Sequence, residues 1–176
     1  MASRMSAPGR GLGQAIVATP LGDLTIVCSS TGVVATIFDD EEADMQQHVF
    51  DARPSAGPRA GALARTAGSE AARYFAGSRR SFSVRPDLSL VAGTFARRVL
   101  EVVATIPHGE LWTYGDVAGM AGSPRAARAA GSALAGCPIE LFVPCHRVVH
   151  ASGAIGGYGR HEDRKRWLLR HERAIE

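Results

Sequence analysis

Three short apolar runs mark the first half of the chain. Residues 14–19, 24–29 and 33–38 are rich in Ile, Val and Thr, the composition of strands. Pro20-Leu21-Gly22-Asp23 separates the first two runs and reads as a turn, so the three predict an antiparallel meander. Asp39 to Asp44 reads as an acidic loop and Arg53 to Arg59 as a Pro/Gly loop. From Leu63 the period changes. Leu63, Ala67, Ala71 and Tyr74 share one face of a helix, which Gly77 ends. Phe82 and Val84 alternate with serines and predict one more short strand. Beyond Leu90 the pattern is helical. Phe95, Val99, Val102, Val103 and Ile106 form an apolar stripe. Residues 114–121 predict a short helix, and Gly122-Ser123-Pro124 a stop, an N-cap serine and a first-turn proline. The helix so begun runs from about Pro124 to Ala135. Residues 162–173 predict a last helix, acidic at its start and basic at its end, with Trp167, Leu168, His171 and Ile175 turned inward. Two short helices joined by a Gly-containing turn read as a helix-turn-helix. The fold class is α+β: a small antiparallel sheet with a helix over 14–90, a mainly helical unit over 91–176, and a loose polar tail over 1–13.

The 176 residues are 45% hydrophobic and 21% charged, a globular balance. No apolar run reaches the 18 or so residues of a membrane span, and residues 1–10 lack the apolar core of a secretory signal. Three cysteines are too few for a disulfide scaffold, so a reducing, cytoplasmic setting is expected. Charge divides unevenly. Residues 1–90 hold nine Arg against nine acids, and residues 91–176 ten Arg and one Lys against eight acids. The whole net charge of +3 therefore lies in the second half, which suits a nucleic-acid partner.

Chemistry concentrates in Pro144-Cys145-His146-Arg147-Val148. At average residue usage P-C-H-R arises by chance in about one chain of this length in a thousand. Histidine and arginine beside a cysteine favour its thiolate. Read as a strand, Cys145 and His146 point to opposite faces, so a direct ion pair between them requires a turn, and action at a distance requires a bridging water. A buried structural thiol and a satisfied core histidine are the plainer readings of each residue alone. Cys137, Cys145, His146 and His150 form C-x7-C-H-x3-H, which lacks the close cysteine pair of structural zinc sites. No metal and no cofactor are predicted. Cys28 reads as a buried strand thiol. The helix around Arg128 is nearly all Ala and Gly. Such a face permits close packing on a neighbouring helix, or entry into a minor groove with Arg128 as the one long side chain. Gly153 to Gly159 is a flexible loop with one aromatic, Tyr158, whose backbone N–H groups can approach a ligand.

Together these residues resemble the O6-alkylguanine-DNA alkyltransferases, direct-reversal DNA repair proteins. Pro144-Cys145-His146-Arg147-Val148 matches that family's active-site motif. Thr113-Tyr114-Gly115, Ala126-Ala127-Arg128-Ala129 and Gly156-Gly157-Tyr158 match its other markers in order, over about residues 92–172. Thr19-Pro20-Leu21-Gly22 and Leu24-Thr25 match the first domain more loosely. The resemblance implies transfer of an alkyl group from O6-alkylguanine, and less well from O4-alkylthymine, in duplex DNA to Cys145, once per molecule and with base flipping. It makes Cys145 the acceptor, His146 its base acting through water, Glu172 the group that orients His146, and Tyr114 the donor toward guanine N3. Arg128 would fill the vacated stack. Ser123, Ala126, Ala127, Gly131 and Tyr114 would lie against DNA, and Val148, Tyr158, Gly159 and Leu134 would line the pocket. The carbonyls of Cys145 and Val148 would accept from the guanine amine. A monomer without an obligatory protein partner is implied, cytoplasmic and nucleoid-associated if bacterial. The chain departs from the family in Cys137 for a usual Asn, Gly159 for a usual serine, and Arg160-His161-Glu162 for a glycine-rich stretch. Three other readings make distinct demands: a lesion-binding relative lacks the cysteine, a transcription regulator needs base-reading side chains on 125–135, and a thiol hydrolase turns over repeatedly.

Overall fold

The computed structural model describes residues 11–39, 57–158 and 161–176. The tail up to residue 10, most of the acidic loop, the start of the Pro/Gly loop and Gly159-Arg160 lie outside the described residues. The meander is present as expected. Strands β1 (Gly13–Thr19), β2 (Gly22–Cys28) and β3 (Val33–Phe38) form an antiparallel sheet in the order β1-β2-β3. Thr19 pairs with Gly22 across the tight turn, where the Thr19 hydroxyl donates to the Gly22 carbonyl at 2.6 Å and accepts from the Leu21 N–H at 3.1 Å. Gly22 takes φ +102° there, a backbone that suits glycine.

Helix α1 (Pro58–Phe75) lies on this sheet. It begins five residues before Leu63, inside the segment expected as a loop, because Pro58 occupies the first turn, where its missing N–H costs nothing. Ala60, Ala64, Ala67 and Ala71 are buried on the sheet side, and their small size brings the backbones together. A Cβ on Gly13 would stand 2.3 Å from the Ala60 carbonyl carbon, and one on Gly68 3.1 Å from Ala15 Cβ. Phe82 to Val84 is not a strand. Glu70, buried on α1, accepts from the Ser83 N–H and hydroxyl and the Val84 N–H. These bonds hold the segment as an irregular loop, with the Phe82 ring 4.4 Å from that of Phe142.

The second half is built from short pieces. Helix α2 (Thr94–Val103) buries Val99, Leu100 and Val103. A two-residue strand β4 (Trp112–Thr113) leads into helix α3 (Tyr114–Met120), closed by a reciprocal cap between Thr113 and Asp116. Helix α4 (Ala127–Ala135) starts later than the Gly122-Ser123-Pro124 signal predicts. Ser123 does not cap it. Its carbonyl accepts from the Ala126 N–H at 2.9 Å, so Ser123 to Ala126 closes a separate turn and Ala126 is the N-cap. Strand β5 (Val148–Val149) pairs in parallel with β4, a contact between residues too few to leave a periodic signal. Helix α5 (Glu162–His171) ends the fold.

One buried cluster runs through both halves, from Leu24, Ile26 and Tyr74 to Val103, Ile139 and Leu168. Strand β3 holds the segment leading into the cysteine motif: Thr36 N–H donates to the Pro138 carbonyl at 2.9 Å and its hydroxyl to the Glu140 carbonyl at 3.0 Å. Arg164 of α5 lies 4.0 Å over the Phe38 ring. No described helix is long and apolar enough to cross a membrane.

Candidate active site

Cys145 opens a tight 3-10 turn, Cys145–Arg147, set between Pro144 and β5. The motif is therefore a turn rather than a strand, and the opposite-face constraint expected for Cys145 and His146 does not apply. The turn is carried by backbone bonds: Arg147 N–H donates to the Pro144 carbonyl at 2.9 Å, and Val148 N–H to the Cys145 carbonyl. Cys145 is 4% exposed and faces a cavity of about 400 Å³ that Tyr114, Arg128, Leu134, His150 and Tyr158 also line. A larger cleft of about 980 Å³ touches Pro144 and Arg147 but not Cys145.

The next two residues of the turn, His146 and Arg147, belong to a buried polar group. His146 Nε2 is 2.9 Å from Glu172 Oε1. The same carboxylate accepts from the Tyr74 hydroxyl at 2.6 Å, from Arg147 Nη2 at 2.8 Å and Nε at 2.9 Å, and from the Gly109 N–H at 3.0 Å. Burial alone would raise the Glu172 carboxyl, but the hydrogen bonds and charges of His146 and Arg147 reverse this and hold it far below the usual carboxylate range. Burial lowers His146 against the pull of Glu172, so its ring is neutral. The carboxylate can only accept, so Nε2 carries the proton and Nδ1 the lone pair. Nδ1 is buried and has no hydrogen-bond partner among the described residues. Tyr74, whose hydroxyl is pushed up by burial and by the Glu172 charge, comes from the first half of the chain. Its periodicity gave it a place in the core and no sign of this bond.

The Cys145 thiol is raised well above its ordinary value by a hydrogen-bond interaction with Cys137 and by burial, while Lys165 opposes the shift. Lys165 is fully buried, donates to the Val148 carbonyl at 2.6 Å and is lowered by burial to about 8. It stands on α5 in a strongly charged run, Glu162 to Arg166, where sequence pattern predicts a solvated face. Only the packing of α5 against the Cys145 turn buries it. The Val148 carbonyl thus already holds one donor and keeps a second lone pair.

Tyr114, at the first position of α3, is half-buried. Its ring lies 5.2 Å from that of His150, and a Cβ on Gly131 of α4 would stand 3.7 Å from it. Burial and the nearby Cys145 raise its hydroxyl. Arg128 is exposed at the cavity mouth, on the first turn of a helix whose Ala127 and Gly131 also line it. Tyr158 is buried, and its hydroxyl has no partner among the described residues. Ser123 and Ala126 are half-exposed in the turn between α3 and α4. Gly159 lies outside the described residues. Among the described residues no group of three or more His, Cys, Asp or Glu converges to hold a metal.

Comparison with known proteins now decides the family. A family model described as "6-O-methylguanine DNA methyltransferase, DNA binding domain" matches residues 94–174. A methylated-DNA–protein-cysteine methyltransferase of Mycobacterium tuberculosis is 39% identical over 157 residues, 89% of each chain. The chain belongs to the O6-methylguanine-DNA methyltransferase family. A member from Mycolicibacterium paratuberculosis is 48% identical over 100 residues, 57% of this chain and 59% of its own. The crystal structure of the M. tuberculosis O6-methylguanine methyltransferase superposes with a TM-score of 0.76 at 33% identity over 94% of both chains. That enzyme has also been crystallised in complex with DNA, with the same TM-score over 92% of this chain and 93% of its own. As a member of this methyltransferase family, the chain is a DNA-binding repair enzyme that transfers an alkyl group to a protein cysteine. The α+β class, with a three-stranded sheet and five α-helices among the described residues, agrees with those structures.

Proposed function

We propose that the protein removes the alkyl group from O6-alkylguanine in duplex DNA, with Cys145 as the acceptor and one turnover per molecule. The observation that carries this reading is the convergence on one cavity of Cys145, Tyr114, Tyr158, Leu134 and Arg128, with the buried His146–Glu172 pair at the next residue of the same turn.

Helices α3 and α4 act as a helix-turn-helix. Ser123, Ala126, Ala127 and Gly131 present a surface with little bulk, suited to the minor groove, and Arg128 fills the space of the extruded guanine. The flipped base enters between Tyr158 and α4, with Leu134 and Val148 as apolar wall. The Cys145 and Val148 carbonyls accept from its exocyclic amine. His146 Nδ1 takes the thiol proton through a water, and Glu172 stabilises the imidazolium that forms. The thiolate attacks the alkyl carbon. A carbon–sulfur bond forms as the carbon–O6 bond breaks, and its electron pair returns to the guanine. Tyr114 donates toward N3 and makes guanine a better leaving group. Lys165 stands where a positive charge favours the thiolate. The product is a thioether without a carbonyl for water to attack, so the thiol is not regenerated. O4-alkylthymine is a slower substrate. The division at about residue 90 separates a supporting unit from a DNA-binding one, and the protein works as a monomer in the compartment that holds the DNA.

The test is the intact mass after exposure to duplex DNA containing O6-methylguanine. A gain of one CH2, located at Cys145 and absent in Cys145→Ser, is expected, with duplex binding retained in the variant. Methyl transfer by Cys145→Ser would overturn the assignment. A thiol hydrolase would instead release product repeatedly and keep its original mass.

A further inference from the structure

Glu140 is the one acid among the described residues that line the Cys145 cavity. Its place there is set by the backbone. The Thr36 hydroxyl of β3 and the Phe142 N–H both donate to its carbonyl, at 3.0 Å and 2.9 Å. The second bond closes a three-residue turn over Leu141, whose φ of +71° is rare for a residue with a side chain. The turn divides neighbours between two spaces. Glu140 lines the Cys145 cavity, while Leu141 and Phe142 line the larger cleft. The Glu140 side chain is 22% exposed and pairs with the buried Arg164 at 3.3 Å. Its charge works against alkyl transfer. After the Cys137 interaction and burial, it further raises the Cys145 thiol, and after burial it is the first influence that raises the Tyr158 hydroxyl. A strained turn thus holds, in the cavity of the acceptor thiol, a carboxylate for which methyl transfer has no use.

We propose that Glu140 selects alkyl groups that end in a hydroxyl, so that O6-(2-hydroxyethyl)guanine is preferred over an O6-alkylguanine of the same size without a donor. The proposal rests on the reading of Cys145 as alkyl acceptor. A carboxylate has acceptor sites for about four donors, so its pairing with Arg164 is compatible with one more. A propyl group pressed against it removes water and returns no hydrogen bond, which costs free energy. A hydroxyethyl group of nearly the same volume supplies the donor, and a hydrogen bond to a charged acceptor is a strong one. An apolar wall such as Leu134 hardly separates two groups of equal size, whereas a site with a buried acceptor rejects the analogue that leaves it unpaired. The transfer itself is unchanged. The Cys145 sulfur bonds the first carbon, the carbon–O6 bond breaks, and its electron pair returns to guanine. The hydroxyl keeps its proton throughout and donates to Glu140. The product is Cys145 bearing S–CH2–CH2–OH.

The experiment sets two duplexes of one sequence in competition for a limiting amount of the full chain. One carries O6-(2-hydroxyethyl)guanine and the other O6-propylguanine, and an O6-methylguanine duplex is run alone in parallel. Because each molecule reacts once, the intact masses record the choice: a gain of C2H4O for hydroxyethyl, C3H6 for propyl and CH2 for methyl. Wild type should take hydroxyethyl over propyl by about tenfold or more, the scale of one hydrogen bond to a charged group. In Glu140→Leu that ratio should fall by about tenfold or more. Glu140→Gln, which keeps an acceptor oxygen without the charge, should lie between. The wild-type competition does not depend on either variant folding. Propyl taken as readily as hydroxyethyl by wild type overturns the proposal alone. So does a ratio that both variants leave unchanged, which would make Glu140 a contact to the base or a support of the fold. Absence of a CH2 gain from the methylated duplex overturns the reading of Cys145 as well.

Discussion

The two halves of the molecule solve different physical problems. Residues 13–75 form a sheet and one long helix, and their stability comes from close approach of small residues: Gly13 against Ala60, Gly68 against Ala15. Among the described residues, buried charge is confined there to Glu70, paired with Arg79. The second half spends its interior on polar groups. His146, Arg147, Lys165 and Glu172 are all buried within or against one short turn, where apolar side chains would pack with less desolvation cost. The difference shows where function has been set against stability. Yet the halves are not separable, because a donor to the central carboxylate, Tyr74, belongs to the first.

Four substitutions sharpen or break this comparison. Glu172→Gln has the largest expected effect. It leaves Arg147 a buried cation without its counter-charge, a loss of about 3–5 kcal/mol, measured by urea unfolding. It also changes the pH dependence. The folded carboxyl binds its proton far more weakly than the unfolded one, so its contribution is complete above about pH 5 and drains away as pH falls below the ordinary value of 4.5. The variant should lose that acid-side slope. An unchanged slope would mean that the carboxylate is not the charge centre described.

Arg128→Ala should slow repair of duplex DNA on the order of 10- to 100-fold, since flipping costs a few kcal/mol that a filler of the stack offsets. Reaction with free O6-benzylguanine, which needs no flipping, should hardly change. Equal losses on both substrates would make Arg128 a folding or pocket residue. Tyr74→Phe should cost about 1.5–3 kcal/mol, the range for a hydrogen bond to a charged group. Relieved of one competing donor, the His146–Glu172 bond strengthens, so the pH midpoint of Cys145 alkylation by a small reagent should move down. A midpoint that stays put would return the first half to a purely packing role. Gly13→Ala should cost about 1–3 kcal/mol by overpacking against backbone that cannot yield. The rate of methyl transfer by the folded protein should not change, and a rate loss beyond the folded fraction would show that the sheet bears on chemistry directly.

What could be read in the chain follows the same division. The strands were legible from their β-branched apolar runs and the turn between the first two, and α1 from a stripe with one buried face. The candidate site was legible only where residue type was rare, as in Cys145-His146-Arg147, where a small-residue helix set Arg128 apart, or where the family resemblance pointed, as for Glu172. Pattern failed where side chains override local preference. Ser83 and Val84 alternate like a strand, but Glu70 takes their donors. Ser123 looks like a cap, but its carbonyl is used in a turn that ends at Ala126. Lys165 sits in a charged run, and only the docking of α5 hides it. Tyr74 fits a core stripe, and only a carboxylate 98 positions later in the chain gives its hydroxyl a purpose.

That long separation orders events during synthesis. The ribosome makes Tyr74 first, then the Cys145-His146-Arg147 turn, and Glu172 some 25 positions after Arg147. Until residue 172 has emerged and docked, His146 has no carboxylate to set its tautomer and Arg147 no counter-charge. A nascent chain therefore carries the Cys145 turn without the carboxylate that completes it. Under the single turnover proposed above, late arrival of that carboxylate acts as a safety catch, released when Glu172 has docked.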